Sequence, residues 1–331
     1  QCGPSADPAA EPIRWSYGQL LTGIHQTANL LHHLGVGPQD AVAVLLLFAG
    51  FAATRSAVAG QRPAVFARAG AGTVVDAGQS APGRVVPVER ASGGQRFVNM
   101  GYAVALVGML AHLGSIVTRG IATSRAPWGN MYEFISLTMI ACLVGGLIAL
   151  RAPENRKYLA FVVATVLLLL VINDRFLFTA ASPVVPALKS YWLVVHVSII
   201  SISSGVLLVS GVASILYLLS LRFGWFGEDA SERLDRIAYR CVVFAFPLFS
   251  LGVMCGAIWA EHAWGRYWGW DPKEVVSFIT WVVYAAYLHA RATAGWRVQA
   301  AAINVAGFAT VLFNLFAINL VIAGLHSYAG V

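Results

Sequence analysis

Apolar side chains fall along this chain in long unbroken runs, without the strict alternation of strands or the narrow stripes of soluble helices. The runs lie at about 41–59, 97–118, 132–150, 158–173, 191–221, 241–260, 275–290 and 300–322. Each approaches the roughly 20 residues that an α-helix needs to cross a hydrocarbon layer of about 30 Å. Backbone polar groups in lipid are satisfied only inside helices or closed barrels, and apolar runs of this length are helical. The pattern therefore predicts an all-α, polytopic integral membrane protein with about eight transmembrane helices. The first run is the weakest, since Arg55 interrupts it near its end. Between it and the second lies 60–96, rich in Gly, Ala, Pro and Arg, which reads as a flexible loop.

Composition agrees with that reading. Of 331 residues, 58% are apolar and 11% charged, and the mean hydropathy is +0.70; soluble domains carry about 25% charged residues. The net charge of +7 would raise nucleic acid as a partner of a soluble protein. Here the basic residues gather in short loops with no interleaved aromatic patch, so the expected surrounding is a lipid bilayer and no nucleic acid. Placing loops 60–96, 151–157, 222–240 and 291–297 on one side collects fourteen Lys and Arg; the other segments (1–40, 119–131, 174–190, 261–274, 323–331) hold seven. The positive-inside rule puts the richer side in the cytoplasm, and eight spans then leave both termini outside. Residues 222–240 read as a cytoplasmic connector leading into a short helical stretch. Cys2, Cys142, Cys241 and Cys255 form no Cys-x-x-Cys pair and read as small packing residues. The chain opens on Gln1, and residues 1–40 lack the charged-then-apolar layout of a signal peptide. It therefore reads as a fragment or a processed product.

Candidate chemistry concentrates on the outer side. Trp259, Trp264, Tyr267, Trp268 and Trp270 crowd into twelve residues, where an interfacial belt would place one or two aromatics per helix end. With glycines between them, they suggest a flat aromatic platform for a planar apolar ligand. Asp271, Pro272 and Glu274 fit the N-cap, N1 and N3 places of a capping box, which makes the two acids structural first. His196 lies five residues into a span that begins outside, and His326 follows the last span, so both sit at the level of the tryptophans. Neutral imidazole is a standard axial ligand of haem iron, and two at one depth could clamp a metalloporphyrin. His289 lies about 22 Å deeper than Glu274 along one helix, as an inner ligand or a snorkelling end residue. His112 is a weaker candidate; His25, His32, His33 and His262 read as solvated or interfacial. Glu133 opens a span near the positive end of its helix. No hydrolytic constellation is visible, and no catalytic residue is assigned.

Trp264-Gly265-Arg266-Tyr267-Trp268-Gly269-Trp270-Asp271-Pro272-Lys273-Glu274 resembles the WWD signature of haem-handling proteins in cytochrome c biogenesis. The surrounding chain, roughly 97–331, resembles the CcsA/ResC type, called CcsB in actinobacteria. Pro127-Trp128-Gly129-Asn130-Met131-Tyr132-Glu133-Phe134, Ser190-Tyr191-Trp192, Tyr287-Leu288-His289-Ala290-Arg291 and Gly324-Leu325-His326-Ser327-Tyr328 support the likeness. The resemblance implies a haem-translocating and haem-presenting subunit of a System II cytochrome c synthase in the bacterial inner membrane, its WWD loop extracytoplasmic. It implies haem b as cargo, with His196 and His326 as the axial ligands of its iron and His289 as a transmembrane ligand. Trp259, Trp264, Tyr267, Trp268, Trp270 and Asp271 would form the haem platform. The implied partners are a ResB-like membrane protein, apocytochrome c through its Cys-x-x-Cys-His motif, and a thioredoxin-like thiol reductant. A haem exporter serving a separate chaperone, or a membrane haem electron-transfer subunit, are the alternatives. Residues 1–40 differ: the stretch from Trp15 through Val44 resembles an early segment of acyl-CoA synthetases, with no nucleotide-binding loop following and no adenylation expected. The chain thus divides at 1–40, 41–96 and 97–331.

Overall fold

A computed structural model describes residues 93–326 apart from 181–183, 185, 225, 227 and 323. The 41–59 run, nearly all of the 60–96 loop, the synthetase-like segment, Cys2, His25, His32 and His33 lie outside the described residues. Among the described residues the chain forms seven helices long and apolar enough to cross a membrane. They are α1 (Gly93–Thr123), α2 (Met131–Ala149), α3 (Leu159–Phe176), α4 (Tyr191–Phe223), α5 (Glu228–Trp264), α6 (Pro272–Ala292) and α7 (Arg297–Leu312). α7 continues through a π-helical turn, Phe313–Ala317, into the short α8 (Ile318–Val321). Each of the last seven apolar runs lands on one of these spans, and the protein is a polytopic integral membrane protein.

Local chemistry sets the helix ends. Asn130 caps α2 by accepting from the Glu133 amide at 2.9 Å, and Ser190 caps α4 through the Trp192 amide at 3.2 Å. α4 stops at Gly224, whose φ of +66° is the left-handed geometry that closes helices.

The expected connector 222–240 is corrected by the structure: α4 runs to Phe223, and Glu228 is already helical. Ala230, Leu234, Ala238, Cys241, Val242 and Ala245 recur at helical spacing and are buried, while Asp229–Arg233 and Glu232–Arg236 pair one turn apart on the other face. An amphipathic stretch averages to a polar one, which hid the helix. α5 has 37 residues, about 55 Å at 1.5 Å per residue, so its first turns project beyond the apolar layer. There the buried Asp235 accepts from Arg291 Nη2 of α6 at 2.7 Å.

α4 is the central helix, packed most extensively on α5 and also on α2 and α7. Lipid tails are as apolar as leucine, so helix association rests on close packing and interhelical hydrogen bonds. Gly205 supplies the first: a Cβ there would fall 2.5 Å from the Cys142 nitrogen and 2.7 Å from the Thr138 carbonyl oxygen, so α4 and α2 touch backbone to backbone. Asn304 supplies the second, donating through Nδ2 to Ser210 Oγ at 2.7 Å and Ser214 Oγ at 2.8 Å, while Ser210 donates to the Ala238 carbonyl at 2.9 Å. Cys142, Cys241 and Cys255 are buried free thiols within this packing.

Candidate functional site

Because successive spans reverse direction, segments 124–130, 177–180, 186–190, 265–271 and 324–326 meet at one end of the bundle. The first is held by Glu133, whose side chain is fully buried. Its carboxylate accepts from Arg119 Nε at 2.7 Å, Arg125 Nη1 at 2.8 Å, the Gly129 amide at 2.7 Å and Asn130 Nδ2 at 3.3 Å. A buried charge is tolerated when paired and fully hydrogen-bonded, and this one has donors from four residues. The clamp fixes Trp128, whose indole N–H donates to Ser198 Oγ on α4 at 2.9 Å.

The tryptophan segment is fixed at its far end. Asp271 and Glu274 form the expected capping box at the start of α6, and Glu274 Oε2 also accepts from the Gly269 amide at 2.8 Å. Asp271 does more than cap. Its Oδ1 accepts from the Leu325 amide at 2.6 Å and its Oδ2 from His326 Nδ1 at 2.7 Å. Gly324 permits this approach, since a Cβ there would stand 2.7 Å from Asp271 Oδ1. Burial pushes the Asp271 carboxyl up, but the hydrogen bonds from His326, Leu325 and Lys273 outweigh it and hold it below the usual carboxylate range. It is a carboxylate, and His326 donates to it.

These segments enclose a cavity of about 1160 Å³ including its open mouth, lined by α2, α4, α5, α6 and α7. His196 and His326 both line it, with Trp259, Trp264, Tyr267 and Trp268. The His196 imidazole hydrogen-bonds through Nδ1 to the Gly252 carbonyl at 2.8 Å and stacks parallel to Trp259 at 6.2 Å between ring centroids. The His326 ring lies 5.9 Å from the same indole and edge-on to Trp264 at 5.0 Å. A carbonyl and a carboxylate can only accept, so each imidazole carries its hydrogen on Nδ1. Among the described residues Nε2 of neither ring is hydrogen-bonded, and a neutral imidazole held this way presents a lone pair there, as in a metal-ligating histidine whose other nitrogen is tied to the protein. The π-helical turn of α7 brings Asn314 and Leu315 to the wall, where Asn314 Nδ2 donates to Ser277 Oγ at 2.8 Å. Such turns are frequent at functional sites.

The flat platform is not what forms. Trp259 and Trp264 meet at 66° and Trp268 and Trp270 at 90°, edge to face as ring quadrupoles favour, so the aromatics build a cage. Trp270 leaves it: 68% exposed, with φ of +57°, it does not line the cavity. Asp271 stands behind His326 and away from the lining. His289 is exposed on α6, remote from the cavity wall, and its carbonyl accepts from Thr293. His112 is buried and donates Nε2–H to the Ser136 carbonyl at 3.0 Å, also off the wall. His262 is exposed and bonds within its own helix. Residues that sequence reasoning assigned no site role are Trp128, Gly256, Lys273 and Asn314. Trp128 and Lys273 fall inside the motifs that carry the family resemblance, which was the available signal; Gly256 and Asn314 carry none.

The cavity is also where known proteins match. The family described as "Cytochrome C assembly protein" matches residues 128–326, from the wall residue Trp128 to His326. "Cytochrome c biogenesis protein CcsA" of Guillardia theta is 34% identical over 257 residues, covering 69% of this chain and 85% of that protein. Its namesake from Gloeobacter violaceus is 30% identical over 291 residues, covering 69% and 86%. The solved structure of "Cytochrome c Heme Lyase CcmF" aligns with a TM-score of 0.56 at 19% identity, over 88% of this chain and 48% of that one. This chain thus spans about half that protein's length, and the likeness is one of fold. The matched stretch holds every helix that lines the cavity, and with relatives covered over most of their length the chain belongs to the cytochrome c assembly protein family, as a CcsA-type member.

Proposed function

We propose that this protein binds haem b as its cargo in the aromatic cavity, with His196 and His326 as axial ligands, and presents it for attachment to apocytochrome c. One observation carries the reading: two imidazoles line one aromatic cavity, each with Nδ1 engaged and, among the described residues, no hydrogen bond at Nε2. Among the described residues no group of three or more His, Cys, Asp or Glu gathers to hold a bare metal ion. Two histidines suit an iron that brings its remaining ligands with it. Concave sites with aromatic walls and few polar groups are typical of cofactor binding.

The reading extends to the surroundings. The cavity end lies on the outer side by the distribution of basic loops, so presentation is extracytoplasmic, from the bacterial inner membrane. A ResB-like membrane partner and a thioredoxin-like thiol reductant complete the system, the latter keeping the acceptor cysteines as thiols. Each attachment adds a thiol S–H across a haem vinyl group, forming one C–S bond. His289, exposed on α6, serves as a separate haem station on the translocation path, approached from outside the bundle.

Absorption spectra of the detergent-purified protein, oxidised and reduced, test this. The wild type is expected to give a low-spin bis-histidine spectrum that is lost or altered in both His196→Ala and His326→Ala. Unchanged spectra in either variant would remove that histidine from the ligand set.

A subtler variant probes the same site. A Cβ at Gly256 would lie 2.6 Å from His196 Cε1 and 2.7 Å from Nδ1. Gly256→Ala is expected to push the ring aside at an overpacking cost of about 1–3 kcal/mol and to weaken haem binding about tenfold. Gly114→Ala, where nothing lies within 4 Å, is the control. Equal haem titrations for the two would show that His196 is free to shift.

A further inference from the structure

The cavity wall carries a cationic side chain that ligation of iron does not use. Lys273 is the only Lys or Arg among the described residues lining it. No Asp or Glu oxygen among the described residues lies within 4.0 Å of its Nζ. The neighbouring acids are committed elsewhere: Asp271 to His326 and Leu325, Glu274 to the Gly269 and Asp271 amides, Glu133 to Arg119 and Arg125. What the amine meets instead is soft: Met131 Sδ at 3.2 Å and the Phe134 ring at 5.6 Å from its centroid. A cation in a largely apolar cavity at a membrane protein's edge is unfavourable without a counter-ion. Its position is further constrained, because the Lys273 carbonyl is met by Asn314 Nδ2 from the π-helical turn at 3.5 Å.

We infer that Lys273 is the counter-ion for a carboxylate of the porphyrin, pairing with a propionate while His196 and His326 hold the iron. The inference rests on the haem reading above and deepens it. Two imidazoles fix an iron axis but leave a porphyrin free to turn about it. A charged contact at the rim selects which edge faces Met131 and Phe134 and which faces the mouth, and so sets where the vinyl groups are offered. Lys273 is on this account a positioning residue for the cargo.

The test uses the full-length purified protein, titrated by absorption with iron protoporphyrin IX and with its dimethyl ester, which lacks the carboxylates. The variants are Lys273→Met, which keeps an unbranched stem, and Lys273→Arg. Wild type is expected to bind the diacid about ten- to hundredfold more tightly than the ester, the range for one hydrogen bond to a charged group. Lys273→Met is expected to lose that preference while keeping the low-spin spectrum and the wild-type affinity for the ester, which also reports that it folds. Lys273→Arg is expected to restore most of the preference. Equal losses for both porphyrins in Lys273→Met, or a wild type indifferent to esterification, would overturn the assignment and leave histidine ligation standing. A wild type that binds neither porphyrin would overturn the haem reading, and this inference with it.

Discussion

Glu133→Ala is expected to destabilise the protein by about 3–5 kcal/mol, the range for removing one partner of a buried ion pair. The fully buried carboxylate is the common acceptor of Arg119 and Arg125, each only 16% exposed at the side chain. Without it two guanidinium groups face one another in an interior where each needs an anion, and the Gly129 amide loses its acceptor. Glu133→Gln keeps the shape and removes the charge, so it should fall between Ala and wild type. Replacing Glu133, Arg119 and Arg125 together by Leu, Met and Met should recover much of the loss, since apolar residues of similar volume often substitute for a buried ionic cluster. Unfolding in detergent, followed by tryptophan fluorescence, measures all three variants against wild type. A Glu133→Ala protein within about 1 kcal/mol of wild type would mean that water reaches the cluster and that the clamp is ornamental. Haem affinity should fall alongside stability, because the clamped loop carries Trp128, Gly129 and Asn130 of the cavity wall.

The second large effect is expected at Asp271→Asn. Asn caps helices as well as Asp does, and the substitution removes the charge behind His326 together with one of the two acceptor oxygens that serve Leu325 and His326. One face of the amide must now turn its N–H₂ toward either the Leu325 amide or His326 Nδ1, both of which are donors. Loss of such an orienting partner typically weakens a metal site ten- to hundredfold, and haem affinity should fall by that much. A carboxylate behind a ligating imidazole raises its basicity, so its removal should also move the midpoint potential of the iron positive. A merely structural Asp271 would not shift the potential. Unaltered affinity and potential in a variant with wild-type unfolding would show that His326 needs no partner to ligate.

The spans were legible because lipid imposes a length and a polarity that local sequence must meet. The runs at 132–150 and 191–221 end within two residues of α2 and α4. The capping box at Asp271 was legible for a related reason, since it is written within four consecutive residues. The failures share the opposite property. Glu133 looked like an acid beside a helix start because its two partners lie eight and fourteen residues back, where they were counted as loop charge. The Asp271–His326 bond spans 55 residues, and no local pattern announces it. The amphipathic first turns of α5 were averaged into a polar connector, because half of their surface really is polar. The flat platform failed on electrostatics of contact: composition supplies tryptophans, but ring quadrupoles decide the angle at which they meet.

The bond between Asp271 and His326 has a consequence for biosynthesis. A chain is made and inserted from its N-terminal end, and elements assemble as they become available. Of the two imidazoles that line the cavity, one sits at the start of the fourth described span and the other beyond the seventh. Until the seventh has been threaded into the bilayer, the nascent protein offers one imidazole, an uncapped carboxylate and an open aromatic wall. A chain cut short before that point therefore lacks the second imidazole of the cavity, and on the haem reading proposed above completion of the polypeptide is what licenses loading.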